Sequence, residues 1–348
     1  MCRVKRPATL VCLVLTLVAA ACGRSVPSAA VGVRIAFVQD LSAPDADEHV
    51  QPALQAAELA VAMHAPEDVP VELVTLGLAE GSSAVEEIAS DPSFAAAIVG
   101  PGADGSALAE AGVPTVSVST AGPTPAAGPW RRFVPPIEVL ADAVATELAG
   151  TYTCILSEEP APDALAGLLS ERLGEPAATP DPAEAKSTVT ATGCDAVAWA
   201  GSPDPGAELA RTLPAAVALV GGDRLLDPDF LDAGSSAEGT RAGCACTNLS
   251  TSTDPTVMGF IQDYQSEFGT APGPYAVESW DATRSVLWSL AGGLARDDVV
   301  TALDGLWSFR GLGTMYRFGA TGELADPGGH VVVLELRSGR WVLPRATG

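Results

Sequence analysis

The strongest constraint on the fold is the alternation of short apolar segments with helical segments along most of the chain. Val33–Val38, Val71–Leu76 and Phe94–Val99 are apolar runs of strand length, and Gln51–His64 between the first two has the pattern of an amphipathic helix. Strands that alternate with helices are typical of a parallel sheet covered by helices. Thr115–Val118 adds a fourth strand, which predicts a first doubly wound α/β unit.

The segment Gly122–Pro129 interrupts this pattern, because its three prolines exclude both a continuous helix and a central strand. The alternation then resumes with a helix at Glu138–Leu148. The strands expected in this second run are Tyr152–Leu156, Asp195–Ala200, Ala216–Val220 and Ala242–Thr247. The sequence therefore predicts a second doubly wound unit.

The last hundred residues are too short for a third unit of this kind. Pro255–Phe268 and Tyr275–Leu294 read as long helices, and His330–Leu336 and Arg340–Leu343 read as a final strand pair. We expect the helices to return to the first unit and the strand pair to cross to the second. The predicted domains are a first lobe of residues 31–134 and 252–327, and a second lobe of residues 135–251 and 328–348.

The N-terminus has the pattern of a secretory leader over residues 1–21. Basic residues Arg3, Lys5 and Arg6 precede a short apolar run, and three alanines stand directly before Cys22. Small residues before a cysteine resemble the bacterial lipobox, which predicts that Cys22 is lipidated and that residues 22–30 form a tether. Ordinary cleavage after an A-x-A site is the alternative, and it would leave a free protein.

The charge and the cysteines limit the partners and the compartment. The formal net charge is −24 over 348 residues, which makes nucleic acid an implausible partner. Of the cysteines after Cys22, we expect Cys154 and Cys194 to form a disulfide outside the cytoplasm, with buried free thiols as the alternative. Cys244 and Cys246 are the other two. With three histidines and none at ligand spacing to a cysteine, a metal site is not expected.

Five local motifs occur in the order in which one known family has them. They are Val33–Ser42, Ala97–Pro101, Pro114–Thr120, Tyr264–Ala276 with Trp280-Asp281-Ala282 after it, and Phe309–Phe318 followed by Gly322. In this respect the chain resembles the type I periplasmic binding proteins of the leucine/isoleucine/valine-binding group. The resemblance implies two doubly wound lobes with parallel sheets, a ligand cleft between them and three chain crossings.

The same resemblance implies a function. A protein of this group is a monomer that binds a small polar molecule, here expected to be amino-acid-like, and delivers it to the membrane permease of an ABC transporter. With the leader, it implies a lipoprotein anchored to the outer face of the cell membrane. The expected crossings that absorb lobe closure are Phe133–Pro136, Asn248–Asp254 and Asp326–Gly329.

In the first lobe, the resemblance assigns the ligand carboxylate to Asp104, Ser119, Thr120 and Ala121. Hydroxyl and N–H donors suit an anion, whereas the carboxylate of Asp104 would repel one. The alternative for Asp104 is to cap the helix that follows Gly105. In that case Ser106 is a candidate to supply the missing hydroxyl.

In the second lobe, Asp223 follows a predicted buried strand, and the family often has a carboxylate there that pairs with the ligand ammonium. A local surface pair with Arg224 is the alternative. Ser202 is a second candidate, with an ordinary turn role as its alternative. Trp130, Trp199 and Trp280 are candidates for lining the cleft, although large aromatic side chains usually belong to the core.

One departure from the family pattern and two enzyme motifs bear on the function. Ser157–Pro162 lacks the family's aromatic-presenting motif, so ligand identity does not transfer. Gly100–Gly105 fits G-x-G-x-x-G but follows the third strand and lacks the expected acidic residue, which argues against a dinucleotide enzyme. The motif G-x-S-x-G does not occur in the sequence, so a hydrolase is not supported. We therefore expect a binding protein without cofactor; a surface-anchored sensor or interaction lipoprotein of the same fold is the alternative.

Overall fold

The structure is a computed structural model. It describes residues 32–40, 46–78, 83–158, 164–178, 182–249 and 252–344. The predicted leader, Cys22 and the tether lie outside these residues, as do parts of the Ser157–Pro162 loop and of the second crossing. None of the described helices is long and apolar enough to span a membrane.

The first sheet has five strands, all parallel, in the order β2-β1-β3-β4-β5. The central strand over Phe94–Val99 is fully buried, and its three consecutive alanines leave room for close packing of helices. The strands are β1 (Val33–Gln39), β2 (Val71–Gly77), β3 (Phe94–Val99), β4 (Thr115–Ser117) and β5 (Trp130–Arg132). The helices that belong to this part of the chain are α1 (Ala46–His64), α2 (Ala84–Ser90) and α3 (Ser106–Glu110).

The second sheet has seven strands in the order β14-β13-β10-β9-β8-β6-β7. Five of them are parallel to one another, and the C-terminal pair adds antiparallel at the edge beside β10. The strands are β6 (Thr153–Ser157), β7 (Ala177–Ala178), β8 (Ala196–Ala200), β9 (Ala218–Gly221), β10 (Arg241–Cys244), β13 (Val332–Arg337) and β14 (Arg340–Val342). The helices between them are α4 (Ile137–Glu147), α5 (Ala164–Leu173), α6 (Pro182–Thr192) and α7 (Pro203–Thr212).

The helices of the C-terminal part pack on the first sheet. α9 (Ala276–Leu290) packs against α1, β3 and β4, and α8 (Pro255–Phe268) also packs on α1. α10 (Arg296–Asp304) packs on β3 and β5, and a hairpin of β11 (Ser308–Arg310) and β12 (Met315–Arg317) follows. The exact lobe bounds given above stay a prediction.

Several elements differ from those expected. β5 and α6 were not predicted: β5 is three residues long and begins directly after the proline-rich segment, and α6 has almost no amphipathic pattern to mark it. The strand expected over Ala242–Thr247 ends at Cys244, and the long helix ends at Leu290. The strand expected from His330 begins at Val332, because Pro327–His330 forms a 3₁₀ turn.

Two disulfides join the four cysteines of the described part of the chain. Cys154 in β6 is joined to Cys194 just before β8, with 5.8 Å between their Cα atoms, and this is the expected pair. Cys244 and Cys246 form the second, across a single intervening residue. The first bridge ties neighbouring parallel strands and closes a long loop, whereas the second closes a very short one.

This difference in loop length gives a prediction. Replacing Cys154 and Cys194 together with alanine should lower the free energy of unfolding by about 4 kcal/mol, because a loop of 40 residues regains its chain entropy. The matched double variant of Cys244 and Cys246 should lose only about 1–2 kcal/mol. Urea unfolding under oxidising conditions measures both, and equal losses would contradict the loop-length argument.

Candidate functional site

A cavity of about 300 Å³ lies where the two sheets face each other. Its walls come from the carboxyl ends of β1, β3 and β4 on one side and of β8 and β9 on the other, where loops of open α/β sheets present ligand-binding groups. The lining residues of the first side are Asp40, Val50, Pro101, Gly102, Thr120, Ala121 and Tyr275. Those of the second side are Ile137, Leu140, Ala164, Leu165, Trp199, Ala200, Gly201, Gly222, Asp223 and Arg224.

Three of the seven predicted ligand residues line this cavity: Thr120, Ala121 and Asp223. Asp223 lies two residues after the end of β9, in agreement with the prediction that it follows a buried strand. Its neighbour Arg224 also lines the cavity. Their roles toward a ligand remain predictions.

The other four predicted residues are not among the lining residues, and the structure gives a reason for each. Asp104 is exposed and accepts a hydrogen bond from the backbone N–H of Ser106 at 2.9 Å, which resembles the predicted capping role but one residue earlier. The backbone N–H of Ser106 is the donor of this bond, so Ser106 belongs to the same turn. Ser119 is fully buried and accepts from the N–H of Ala121 at 3.1 Å. Ser202 donates its N–H and its hydroxyl to the carboxylate of Glu158.

Tyr275 is a lining residue that sequence reasoning did not select. It stands directly before α9 with φ of 63°, a left-handed conformation that is uncommon for a side chain of this size. Its hydroxyl donates a hydrogen bond to Asp223, so this contact joins a residue beside the first sheet to one at the edge of the second. Burial and the nearby charge of Asp223 raise the pKa of Tyr275 well above its usual value, which keeps the hydroxyl protonated as a donor.

Trp199 forms part of the cavity wall from β8 and is only 3 % exposed. Its indole N–H donates to the carbonyl of Ser202 at 3.0 Å. Gly201 and Gly206 face the ring so closely that a Cβ on either would lie 2.5 Å and 2.8 Å from its atoms. The absence of side chains at these two glycines therefore leaves the space that the indole occupies. Trp130 and Trp280, the other two candidates, do not line the cavity and pack in the core.

Behind Tyr275, α9 carries two buried carboxyl groups. Glu278 accepts from the N–H of Thr247 at 2.7 Å and from its hydroxyl, and so fixes the chain just after β10. Asp281 accepts from the N–H of Leu312 at 2.8 Å and from the hydroxyl of Tyr316 at 3.2 Å. Burial raises the pKa of Glu278, and it raises the pKa of Asp281 to about 7, although Arg284 and the bonded N–H act in the opposite direction.

Among the described residues, no group of three or more His, Cys, Asp or Glu side chains is placed to hold a metal ion. The cavity instead combines apolar walls with a few polar groups at its edges, which is the usual composition of a small-molecule site.

Comparison with known proteins shows the fold. No protein-family model matches the chain, and no curated protein matches it by sequence. Among solved structures, a leucine-binding protein from Thermotoga maritima superposes with a TM-score of 0.70 at 17 % identity, covering 90 % of this chain and 98 % of that one. The chain has the type I periplasmic binding fold.

Two further solved structures with this type I fold differ in their ligands. A branched-chain amino acid transporter substrate-binding protein from Streptococcus pneumoniae, in complex with isoleucine, gives a TM-score of 0.70 at 15 % identity and covers 89 % of this chain and 97 % of its own. A solute-binding protein of an ABC transporter from R. palustris, in complex with benzoate, gives 0.69 at 15 %, covering 89 % and 95 %. The names of both describe substrate- or solute-binding proteins.

The close approach of Gly201 to the indole of Trp199 gives a prediction. Gly201→Ala places a methyl group against the indole and should lower the free energy of unfolding by about 1–3 kcal/mol, the usual cost of overpacking. Gly259→Ala, on α8 where a Cβ meets nothing within 4 Å, is the control and should raise it by about 0.5–1 kcal/mol. Urea unfolding measures the stability of both variants. A Gly201→Ala protein as stable as the wild type would show that the indole of Trp199 leaves room for a Cβ at residue 201.

Asp281 gives a prediction about pH. With a folded pKa of about 7 against an ordinary value of 3.8, the folded protein keeps a proton that the unfolded chain has lost at intermediate pH. The contribution of Asp281 to stability is therefore largest below about pH 4 and falls as pH rises to about 7. Asp281→Asn keeps an acceptor oxygen and removes the titration, so its free energy of unfolding should fall less than that of the wild type between about pH 5 and pH 8.

Asp263 on α8 is exposed and provides the matched control. Asp263→Asn should follow the wild-type pH dependence, measured by urea unfolding at each pH. An Asp281→Asn protein with that same dependence would mean that the folded carboxyl titrates near its ordinary pKa.

Proposed function

We propose that this protein is an extracytoplasmic solute-binding lipoprotein of an ABC-type importer, which binds a small, polar, amino-acid-like molecule by closing two lobes around it. The observation that carries the proposal is the cavity between the sheets, to which both contribute the carboxyl ends of their strands. Its volume, about 300 Å³, suits a molecule of amino-acid size. The leader and the Cys22 position support the lipid anchor, and the fold supports a permease as the partner.

The contact between Tyr275 and Asp223 supports closure as the mechanism. It joins the two sides of the cavity directly, and a contact of this kind forms only when the two cavity edges are close together. The three crossings allow rotation of one side against the other, while Glu278 holds the chain beside one of them. In this proposal, ligand and the Tyr275–Asp223 contact stabilise the same closed arrangement.

The experiment is a thermal-shift screen of the purified, processed protein against amino acids, amides, amines, short-chain acids and sugars. A ligand at about 100 times its dissociation constant should stabilise the folded state by about 2.7 kcal/mol. For any hit, small-angle scattering should show a smaller radius of gyration at saturation. Tyr275→Phe should bind the same hit about tenfold more weakly, because it loses a hydrogen bond to a charged group.

Each outcome decides between the two candidate functions. A hit that compacts the protein supports solute binding by lobe closure. A hit without compaction overturns closure as the mechanism. No stabilisation by any compound would overturn the proposal in favour of a surface-anchored sensor or interaction lipoprotein, a role consistent with the four predicted ligand residues that do not line the cavity.

A further inference from the structure

The apolar part of the cavity wall lies mainly on its second side. Trp199 is the largest of the described lining side chains, and smaller apolar side chains lie on the same side, those of Ile137, Leu140, Ala164 and Leu165. The cavity volume of about 300 Å³ is at the lower end of the range for small-molecule sites. The space for the apolar part of a ligand therefore depends on whether these side chains can move aside.

The backbone of Trp199 is fixed in the interior of the second sheet. It lies in β8, which pairs with β6 on one side and with β9 on the other, so that Trp199 stands opposite Leu156 and Gly221. Core strands that are paired on both sides belong to the most stable parts of a protein. We therefore expect the Cα atom of Trp199 to keep its position when a ligand enters.

The indole of Trp199 has main chain close to both of its rings. A Cβ at Gly201 would lie 2.5 Å from Cζ2 of the six-membered ring, and a Cβ at Gly206 would lie 2.8 Å from Nε1 of the five-membered ring. Gly201 follows β8 directly and Gly206 lies in α7, so neither neighbour is a side chain that can change its rotamer. The indole therefore has no room to move toward either glycine.

A chain of hydrogen bonds fixes the orientation of the same indole. Its N–H donates to the carbonyl of Ser202 at 3.0 Å. Ser202 in turn donates its N–H to Glu158 at 2.9 Å and its hydroxyl to the other oxygen of the same carboxylate. Glu158 directly follows β6, the neighbour of β8, and is not among the residues that line the cavity. It therefore influences the wall from outside, by holding Ser202 and, through Ser202, the indole.

We propose that Trp199 limits the size of the apolar part of the ligand, and that Glu158 is the positioning residue that keeps its indole in place. This inference rests on the proposed function and deepens it, because it names the residue that decides which ligands fit. An indole that cannot shift excludes an apolar group that is too large, whereas a flexible side chain would change its rotamer and admit that group. The limit acts on the apolar part of a ligand and does not depend on the net charge of its polar part.

The test compares ligands that have the same polar groups and apolar parts of increasing size. Free alanine, leucine, phenylalanine and tryptophan meet this condition. Isothermal titration of the processed protein gives the dissociation constant of each, and the quantity to compare is the ratio of the dissociation constant of tryptophan to that of leucine. In the wild type this ratio should exceed about ten, because one methylene group that does not fit an apolar site changes affinity by about tenfold or more.

Three variants should lower this ratio. Trp199→Leu replaces the indole by a smaller apolar side chain and should lower the ratio at least about tenfold, chiefly through tighter binding of tryptophan. Trp199→Phe is a smaller change of volume, which a core tolerates better, and it should act in the same direction. Glu158→Ala leaves the lining residues unchanged but releases Ser202, so it should lower the ratio by a smaller factor.

Matched control variants separate the cavity from the rest of the fold. Trp280→Leu makes the same change at a buried tryptophan that does not line the cavity, and Glu208→Ala removes a carboxylate from the exposed face of α7. Both should keep the wild-type ratio. Circular dichroism and urea unfolding show whether each variant is folded, and Trp199→Phe decides the question if Trp199→Leu is not.

The outcomes distinguish this inference from the proposed function. A wild-type protein that binds leucine, with the same ratio in a folded Trp199 variant, overturns the role of Trp199 and leaves solute binding intact. Loss of all binding in a folded Trp199→Leu protein overturns it as well, because the indole then acts as a general contact. An equal fall of the ratio in Trp280→Leu also overturns it, since a general loosening of the fold then explains the change.

Two further outcomes complete the test. A ratio that Glu158→Ala does not alter overturns the positioning role of Glu158. If none of the four amino acids binds to the wild type or to a variant, the size limit at Trp199 is overturned, and the wider screen then decides whether solute binding stands.

Discussion

The cavity depends on one constraint, which is that the parallel strands of both sheets end toward each other. Parallel pairing puts all carboxyl ends at one edge, so the residues just after β1, β3, β4, β8 and β9 converge there although they are far apart in sequence. The antiparallel pair β13 and β14 joins at the far side of β10 and adds no residue to the cavity wall. Positions shortly after the strands thus supply the charged groups of the cavity wall, while residues of α1, α4, α5 and β8 supply most of its apolar part.

α9 connects this edge to the interior of the molecule. Nearly all of its side chains are buried, and Tyr275 at its N-terminus carries the contact to Asp223. Burying the carboxyl groups of Glu278 and Asp281 costs free energy. Each of them accepts a hydrogen bond from a backbone N–H outside the regular helices and strands, at residue 247 for Glu278 and at residue 312 for Asp281. The helix therefore orders the irregular segments around it, at residues 247 and 312, and holds the tyrosine ring in position beside the cavity.

The sequence predicted the fold well because its signals are local. The apolar run Phe94–Val99 and the helix Pro255–Phe268, with Asp254 before it and Gly269 after it, have the observed bounds. The site was harder to predict, since it depends on which of several polar residues after a strand faces the cavity. Ser119 and Ala121 are two residues apart, yet only Ala121 lines it, because the Ser119 hydroxyl turns back to the backbone. The sequence indicates the role of Tyr275 only weakly, because this residue stands just before a helix and lies 52 residues after Asp223, to which its hydroxyl donates.

The motifs that carry the family resemblance include several residues of the cavity wall, among them Asp40 in Val33–Ser42, Thr120 in Pro114–Thr120 and Tyr275 in Tyr264–Ala276. The chain shares its fold with solved structures at overall identities of 15–17 %. Solved structures with this fold hold isoleucine in one case and benzoate in another, so the backbone alone does not select a ligand. In this chain the residues shortly after β1 and β9 place one carboxylate on each side of the cavity, Asp40 and Asp223. The elements that set the geometry of the cavity also line it, because Val50, Leu165 and Trp199 lie in α1, α5 and β8, so a change of side chain at these positions alters the cavity wall without altering the order of the strands.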